Sequence, residues 1–355
     1  MTFGTRVTSI TQDKFVPVSI DAVLNSNVFM ARLFQRDVKR WNGHIMRVPI
    51  QVTKPTTGGA FDGVDTFDTS LSDTRQQQSF SPTGYYQSVV VSGIENAVNT
   101  TDAEVLNLVK ISMQEAQNGM QDSIGTTLYA TQSGKNFQGL GNIVDAGTNS
   151  STYGTLSRTT YALLNSTVTA SGGAMTLTNL GTVFRGASAA SSNRQRPTIL
   201  VTTELVWDLY ESLLTPTVNA NYEAAARSQI TAFSKPGTTL KGSDSLQGTQ
   251  GFQSLTWRGI PVVADEKADS GVVFQLNEEY LHWYSLKGPD LKSYNVSYSP
   301  VDSVYSEYQK VSPMQWKDLQ SPTNQYAQVG QFIMMGNLIS EQTRRHGKLT
   351  GVTSA

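Results

Sequence analysis

Cysteine does not occur among the 355 residues, which excludes a disulfide and a thiolate metal site. The only imidazoles, His44, His282 and His346, lie far apart, and no pair has metal-ligand spacing. Gly134-Lys135 continues with Asn136 where a phosphate loop needs Ser or Thr. Gly139-Leu140-Gly141 lacks the third small residue of a dinucleotide turn, and no Gly-x-Ser-x-Gly elbow occurs. Asp62, Asp65, Asp68 and Asp73 lack the Gly and the closing Glu of a calcium loop. Glu278-Glu279 beside Asn277 could be an acid pair, but adjacent glutamates at a turn are usually just solvated. His282 lies in an aromatic-rich segment that suits a packed, hydrogen-bonded ring. Tryptophans 41, 207, 257, 283 and 316 are scattered and read as core anchors. The residues thus point to no catalytic site, no cofactor and no metal.

One charge cluster remains. Arg32, Arg36, Lys39, Arg40 and Arg47, with His44, face a single Asp37. Such a stretch can meet phosphate, and it can equally be a solvated helix face. The net charge of −1 gives the whole chain no electrostatic pull toward nucleic acid or membrane. Charged residues make up 15%, against about 25% in ordinary soluble proteins. A neutral polar surface suits contact with other copies, because its desolvation costs less than that of charges. No apolar signal segment follows Met1, and Phe332 to Met335 is far too short to span a bilayer.

These residues need a scaffold, and Thr101 to Ala130 supplies its spine. Thr101 and Glu104 match a capping box. Val105, Leu108, Val109, Met113, Ala116, Met120, Ile124 and Leu128 then recur at helical spacing, with Gly119 and Gly125 as points of bending or ending. Residues 1–27 read as a polar arm, and 21–40 as a helix. Met46 to Val52 alternates as a strand, and Tyr85 to Val91 is a second strand. About thirty residues with little core material separate them, which suggests a long hairpin reaching away from the body. Residues 134–154 are turn-rich, and Leu156 to Leu164 suggests a short helix. Thr178 is expected to cap a helix, Ile199 to Val201 to form a buried strand, and Thr203 to cap the next helix. Residues 215–254 read as loops and an insertion. Strands are expected at 255–265, 271–277, 281–286 and 325–334, the last closed by Gly336-Asn337-Leu338 and followed by a basic tail at 344–348. The helix–strand–helix order indicates a mixed α and β domain.

This order, with Trp257-Arg258-Gly259-Ile260-Pro261-Val262-Val263, Asp265, Gly271 to Asn277, Gly336-Asn337-Leu338 and Arg344-Arg345, resembles the tailed-bacteriophage major capsid protein family. The resemblance implies an α+β Hong Kong 97-type fold. Its parts would be an N-terminal arm at 1–42, an extended loop at 43–92 and a peripheral domain with the spine at 93–154. An axial domain would follow at 155–300, and a peripheral return with the tail at 301–355. It implies hexamers and pentamers forming an icosahedral virion shell around non-specifically held double-stranded DNA, assembled in the host cytoplasm without membrane. Only a short arm precedes the basic stretch, which favours a separate scaffolding protein beside portal and decoration proteins. One relative cross-links subunits through a lysine of the extended loop. Lys54 is the only lysine between residues 40 and 109, but no asparagine or glutamate partner is identifiable, so no cross-link is carried over.

Within the loop, Lys54, Phe61, Val64, Phe67, Leu71 and Phe80 are the expected assembly contacts, since so sparse an apolar set cannot bury itself within one subunit. Arg32, Arg36, Lys39 and Arg40 are the expected DNA-facing residues. The competing readings are an encapsulin-type shell around cargo, a soluble α/β enzyme, and a tail or decoration protein.

Overall fold

A computed structural model describes residues 27–36, 38–98, 108–188, 195–218, 255–289, 291–293 and 313–353. The expected arm before residue 27, the Thr101–Glu104 capping box and the insertion from 219 to 254 lie outside the described residues.

The spine is a helix over Leu108–Tyr129. Ala116, Met120, Ile124 and Leu128 form its buried stripe, and Val109 and Met113 pack partly buried at the core margin. Neither glycine ends it. Gly125 instead permits a close approach, since a Cβ there would collide with the Asn27 side chain. The Asn27 amide donates to the Gln121 carbonyl at 3.2 Å, which seats the start of the Val28–Arg36 helix against the spine.

The spine packs on a sheet centred on one long strand, Ala327–Ser340. Along one side it pairs antiparallel with Thr83–Ser92, from Ala327↔Ser92 to Gly336↔Thr83. Along the other side it pairs first with Met314–Gln320, then with Leu281–Ser285. The strand was expected to close at Gly336, yet it continues. Gly336 is where it changes partner, and a Cβ there would meet the Tyr284 carbonyl. Lys39–Arg40 adds a short parallel edge to Leu281–Ser285.

A second sheet runs in the order Thr167–Gly173, Gly347–Val352, Val273–Leu276, Ile199–Thr202, Ile260–Ala264, Leu255–Trp257. Its central strands, Ile199–Thr202 and Val273–Leu276, are buried on both faces, which is why the first of them reads as a continuous apolar run. Ile199 and Val201 join the spine's core, whereas Leu200 faces the Leu177–Ala187 and Glu204–Val218 helices through Leu180, Val183, Val206 and Tyr210.

Several expectations change. The Leu177–Ala187 helix is capped by Thr176, whose hydroxyl accepts the Asn179 N–H at 3.1 Å, rather than by Thr178. Thr203 does precede the Glu204–Val218 helix, but only its carbonyl serves, accepting the Trp207 N–H at 3.0 Å. Residues 156–164 are not a helix: Leu156–Ser157 pairs with Thr152–Tyr153, and Ala162–Leu164 is one 3-10 turn. The basic tail is no tail, because Gly347–Val352 is an interior strand in which Lys348 is 6% exposed. Leu281–Ser285, inside the expected 155–300 segment, pairs in the first sheet, and Gly347–Val352, inside 301–355, pairs in the second.

Candidate assembly surface

The hairpin departs from the body through Met46–Gln51 and Arg75–Phe80, paired from Met46↔Phe80 to Gln51↔Arg75. The Tyr85 to Val91 strand expected as its second arm is committed to Ala327–Ser340 instead. The hairpin root is anchored. Phe80 is 3% exposed and meets the Tyr153 ring edge-on at 5.4 Å, and the Ser79 N–H donates to the Gly154 carbonyl at 2.9 Å. Phe80 is therefore a core residue of its own subunit, a correction to its expected role as an assembly contact. Its neighbour in the alternation, Gln78, is buried too.

Beyond the Val52 N–H to Thr74 carbonyl bond of 2.9 Å the two chains separate. In the tip, Phe61 and Phe67 touch only edge-on at 5.1 Å, and Val64 and Leu71 are 98% and 101% exposed. Lys54 is exposed as well. The aspartates fold the tip locally: Asp65 accepts the Asp62 N–H at 2.8 Å and Asp68 the Ser70 N–H at 2.9 Å. The latter bond holds the Asp68 carboxyl below its ordinary value. Among the described residues no group of acids and histidines could hold a metal ion. Burying the four apolar tip side chains would contribute about 1.5–3 kcal/mol each, and apart from the Phe61–Phe67 contact the described residues leave them exposed.

A second unburied surface lies on the first sheet. Along Thr83–Ser92, Val89 and Val91 point into the core while Tyr86 and Val90 point away, 70% and 57% exposed. Ile94 and Tyr326 extend this surface; the Tyr326 ring lies against Gly93, where a Cβ would not fit.

The basic stretch is partly committed within the chain. Arg32 grips Glu278 through two nitrogens, at 2.6 and 3.2 Å, and Glu278, 6% exposed, also accepts from the Thr198 hydroxyl at 2.9 Å. Lys39 binds Glu341 at 2.7 Å and lies 5.5 Å from the Tyr284 ring centre. Burial opposes the Lys39 charge, yet the Glu341 bond and Tyr284 raise its pKa overall. Burial also pushes Glu341 up, but Lys39 and His282 bring it below its ordinary value. Arg40 is exposed, and the Arg36 side chain lies outside the described residues.

Sequence reasoning missed a buried polar hub between the sheets. One Asp145 oxygen accepts the N–H groups of Gly147, Asn149 and Ser150 at 2.9–3.0 Å. Arg158, 1% exposed, donates to the carbonyls of Asn142, Asp145 and Leu164; burial lowers its pKa and Asp145 opposes that. Asp145 before Gly-Thr-Asn-Ser was the legible signal, since Asp there folds its own backbone into a turn. Burial pushes His346 down to about 3. Its Nδ1 accepts the Asn277 N–H at 3.1 Å, so the neutral ring donates from Nε2 to Ser340 Oγ at 2.8 Å. This Ser–His pair has the spacing of an activated nucleophile, but both residues are 0% exposed and no substrate reaches them.

The chain matches no protein-family profile and no curated protein. Solved structures do match along its whole length. The capsid asymmetric unit of cyanophage A-1(L) aligns with a TM-score of 0.68 at 15% identity, covering 99% of this chain and 100% of the other. The capsid of Myoviridae phage XM1 aligns at 0.56 and 12%, covering 99% of each. The chain has the Hong Kong 97-type fold of tailed-phage major capsid proteins. The same fold serves the SrpI encapsulin of Synechococcus elongatus PCC 7942, which aligns at 0.57 and 11% identity over 99% of this chain and 96% of the other. No helix among the described residues is long and apolar enough to cross a membrane.

Proposed function

We propose that this chain is a major capsid protein, whose copies assemble as hexamers and pentamers into an icosahedral phage head around double-stranded DNA. The observation that carries this reading is the hairpin: an anchored root with a tip whose apolar side chains are unburied, on a chain with the capsid fold. The tip would lie on a neighbouring copy, burying Phe61, Val64, Phe67 and Leu71 with Lys54 at the margin. The exposed sheet surface around Tyr86 and Val90 is suited to receive it. A closed shell repeats one such grip at every neighbour. Arg36 and Arg40 would face the DNA, while Arg32 and Lys39 position the same segment through their ion pairs. Residues 1–42, 43–92, 93–154, 155–300 and 301–355 would serve as arm, extended loop, peripheral domain, axial domain and peripheral return. Scaffolding, portal and decoration proteins are the expected partners, and host cytoplasm the place of assembly.

Replacing residues 54–72 by a tight turn tests the reading. Circular dichroism should report a folded subunit, and sedimentation should report no closed shells. Normal shells from the shortened chain would refute it. The likeness to SrpI supports a second reading, a shell around protein cargo. Nucleic-acid content of shells purified from infected cells separates the two: DNA-filled shells support the head, and DNA-free shells holding an enzyme support the encapsulin.

A further inference from the structure

Trp257 and Ile260 pair across a two-residue turn, Arg258-Gly259, with φ of +51° and +80°. Two positive φ values define the primed hairpin turn, for which Asn-Gly is the favoured sequence. Arginine has no local reason to stand there, because a side chain with a Cβ is disfavoured in the left-handed region. Its guanidinium is nonetheless held in place. It lies 5.1 Å from the Phe184 ring centre and 5.1 Å from that of Trp257. Arg258 is exposed, and no carboxylate of the described residues forms an ion pair with it. A strained, pre-positioned cation with no carboxylate partner among the described residues is suited to recognising an anion.

The matching acids lie at the far end of the same sheet. Ile199–Thr202 and Ile260–Ala264 run parallel in the register Val262↔Leu200 and Ala264↔Thr202. The Arg258 turn therefore sits at the N-terminal ends of these strands, and Glu204 at their C-terminal ends, about 20 Å away at strand rise. Glu204 and Asp208 are one helical turn apart and exposed, with Leu205, 51% exposed, beside them. Arg258 and Glu204 thus cannot meet within one subunit. Opposite charges at opposite ends of one rigid layer suit a head-to-tail contact between copies, which closes into a ring when the rotation permits.

We propose that Arg258 takes the Glu204 and Asp208 carboxylates of a second copy of this chain. The inference rests on the shell reading, and wild-type assembly tests that reading separately: if wild type forms no shells, both fail. Arg258→Asn suits the turn better than arginine, so the subunit's melting temperature should hold or rise. Its critical concentration for assembly should nevertheless rise at least five-fold. Arg258→Glu should block assembly, and Glu204→Arg with Asp208→Arg in the same chain should restore it. Assembly of Arg258→Asn at the wild-type concentration would overturn the proposal. So would a fall in its melting temperature, which would make Arg258 an internal support. Rescue of Arg258→Glu only by replacing Asp62, Asp65, Asp68 and Asp73 would overturn the choice of partner in favour of the hairpin tip.

Discussion

Asp265→Ala should undock the Val28–Arg36 helix. Asp265 is 1% exposed, and one carboxylate oxygen accepts the Phe29 N–H at 2.9 Å while the other accepts the Lys267 N–H at 3.0 Å. The first bond caps a helix start from 236 residues away. Phe29 is itself buried, so water cannot replace the lost acceptor, and an unmet buried donor costs about 1–3 kcal/mol. The Lys267 bond adds about 1 kcal/mol. Relief of a desolvated carboxylate acts the other way, since burial raises the Asp265 pKa above its ordinary 3.8 despite both backbone bonds. The net loss is therefore smaller than the sum of the two bonds, about 1–3 kcal/mol. With roughly 2.1 cal/mol/K of unfolding entropy per residue, 3 kcal/mol corresponds to about 4 °C for this chain. Calorimetry of the unassembled subunit would measure it, with amide exchange localising it to residues 28–33. Asp265→Asn keeps one acceptor and should lose about half as much. The raised pKa means the native state holds this proton to higher pH than the unfolded chain. Asp265's titration therefore favours folding most below its ordinary value, and that advantage fades as pH rises through the raised one. The stability gap between wild type and Asp265→Asn should narrow upward from about pH 4. A loss under about 0.5 kcal/mol in Asp265→Ala, with unchanged exchange at 28–33, would refute the capping role.

His346 stays neutral when folded but charges when unfolded, so wild type should lose stability as pH falls from 6.5 toward 3. The loss should reach up to about 5 kcal/mol; urea titrations should show it and show His346→Gln lacking it. Phe80→Ala should cost the subunit about 3–5 kcal/mol, whereas Leu71→Ala should leave its melting temperature unchanged and weaken assembly. Equal effects on both measurements would mean that root and tip were wrongly separated. Arg32→Ala should destabilise by about 1–3 kcal/mol because Glu278 loses its closest cation, while Arg40→Ala should stay within about 0.5 kcal/mol and lower DNA retention instead. Retention unchanged in Arg40→Ala would remove that residue from the DNA-facing set.

The spine was legible because Ala116, Met120, Ile124 and Leu128 follow one period, and a period needs only local geometry. The second sheet's Ile199 to Val201 strand was legible as an apolar run, because both of its faces are covered. Pairing was not legible. Arg75–Phe80 contains Gln76, Gln77 and Gln78 and carries no strand pattern, yet it pairs with Met46–Gln51, while Tyr85 to Val91, which looks like the natural partner, is used elsewhere. Phe80 was misassigned for the same reason: its burial depends on Tyr153, which is distant in sequence. The polar segment at 344–348 looked solvated because its sequence shows charges but not the strands on either side. The exposure of the hairpin tip was readable because its apolar residues lack a pattern that any local fold could bury.

Gly347–Val352 lies between Thr167–Gly173 and Val273–Leu276. During synthesis the second sheet therefore has an empty lane until residues 347–352 have left the ribosome. Two strands that flank that lane must wait, edges open, for a segment made roughly seventy residues after the nearer of them. Such late, distant pairing makes folding slow and exposes sticky edges meanwhile. It also imposes an order of events: a nascent chain cannot complete its second layer before Gly347–Val352 arrives, whatever the other five strands of that sheet have done.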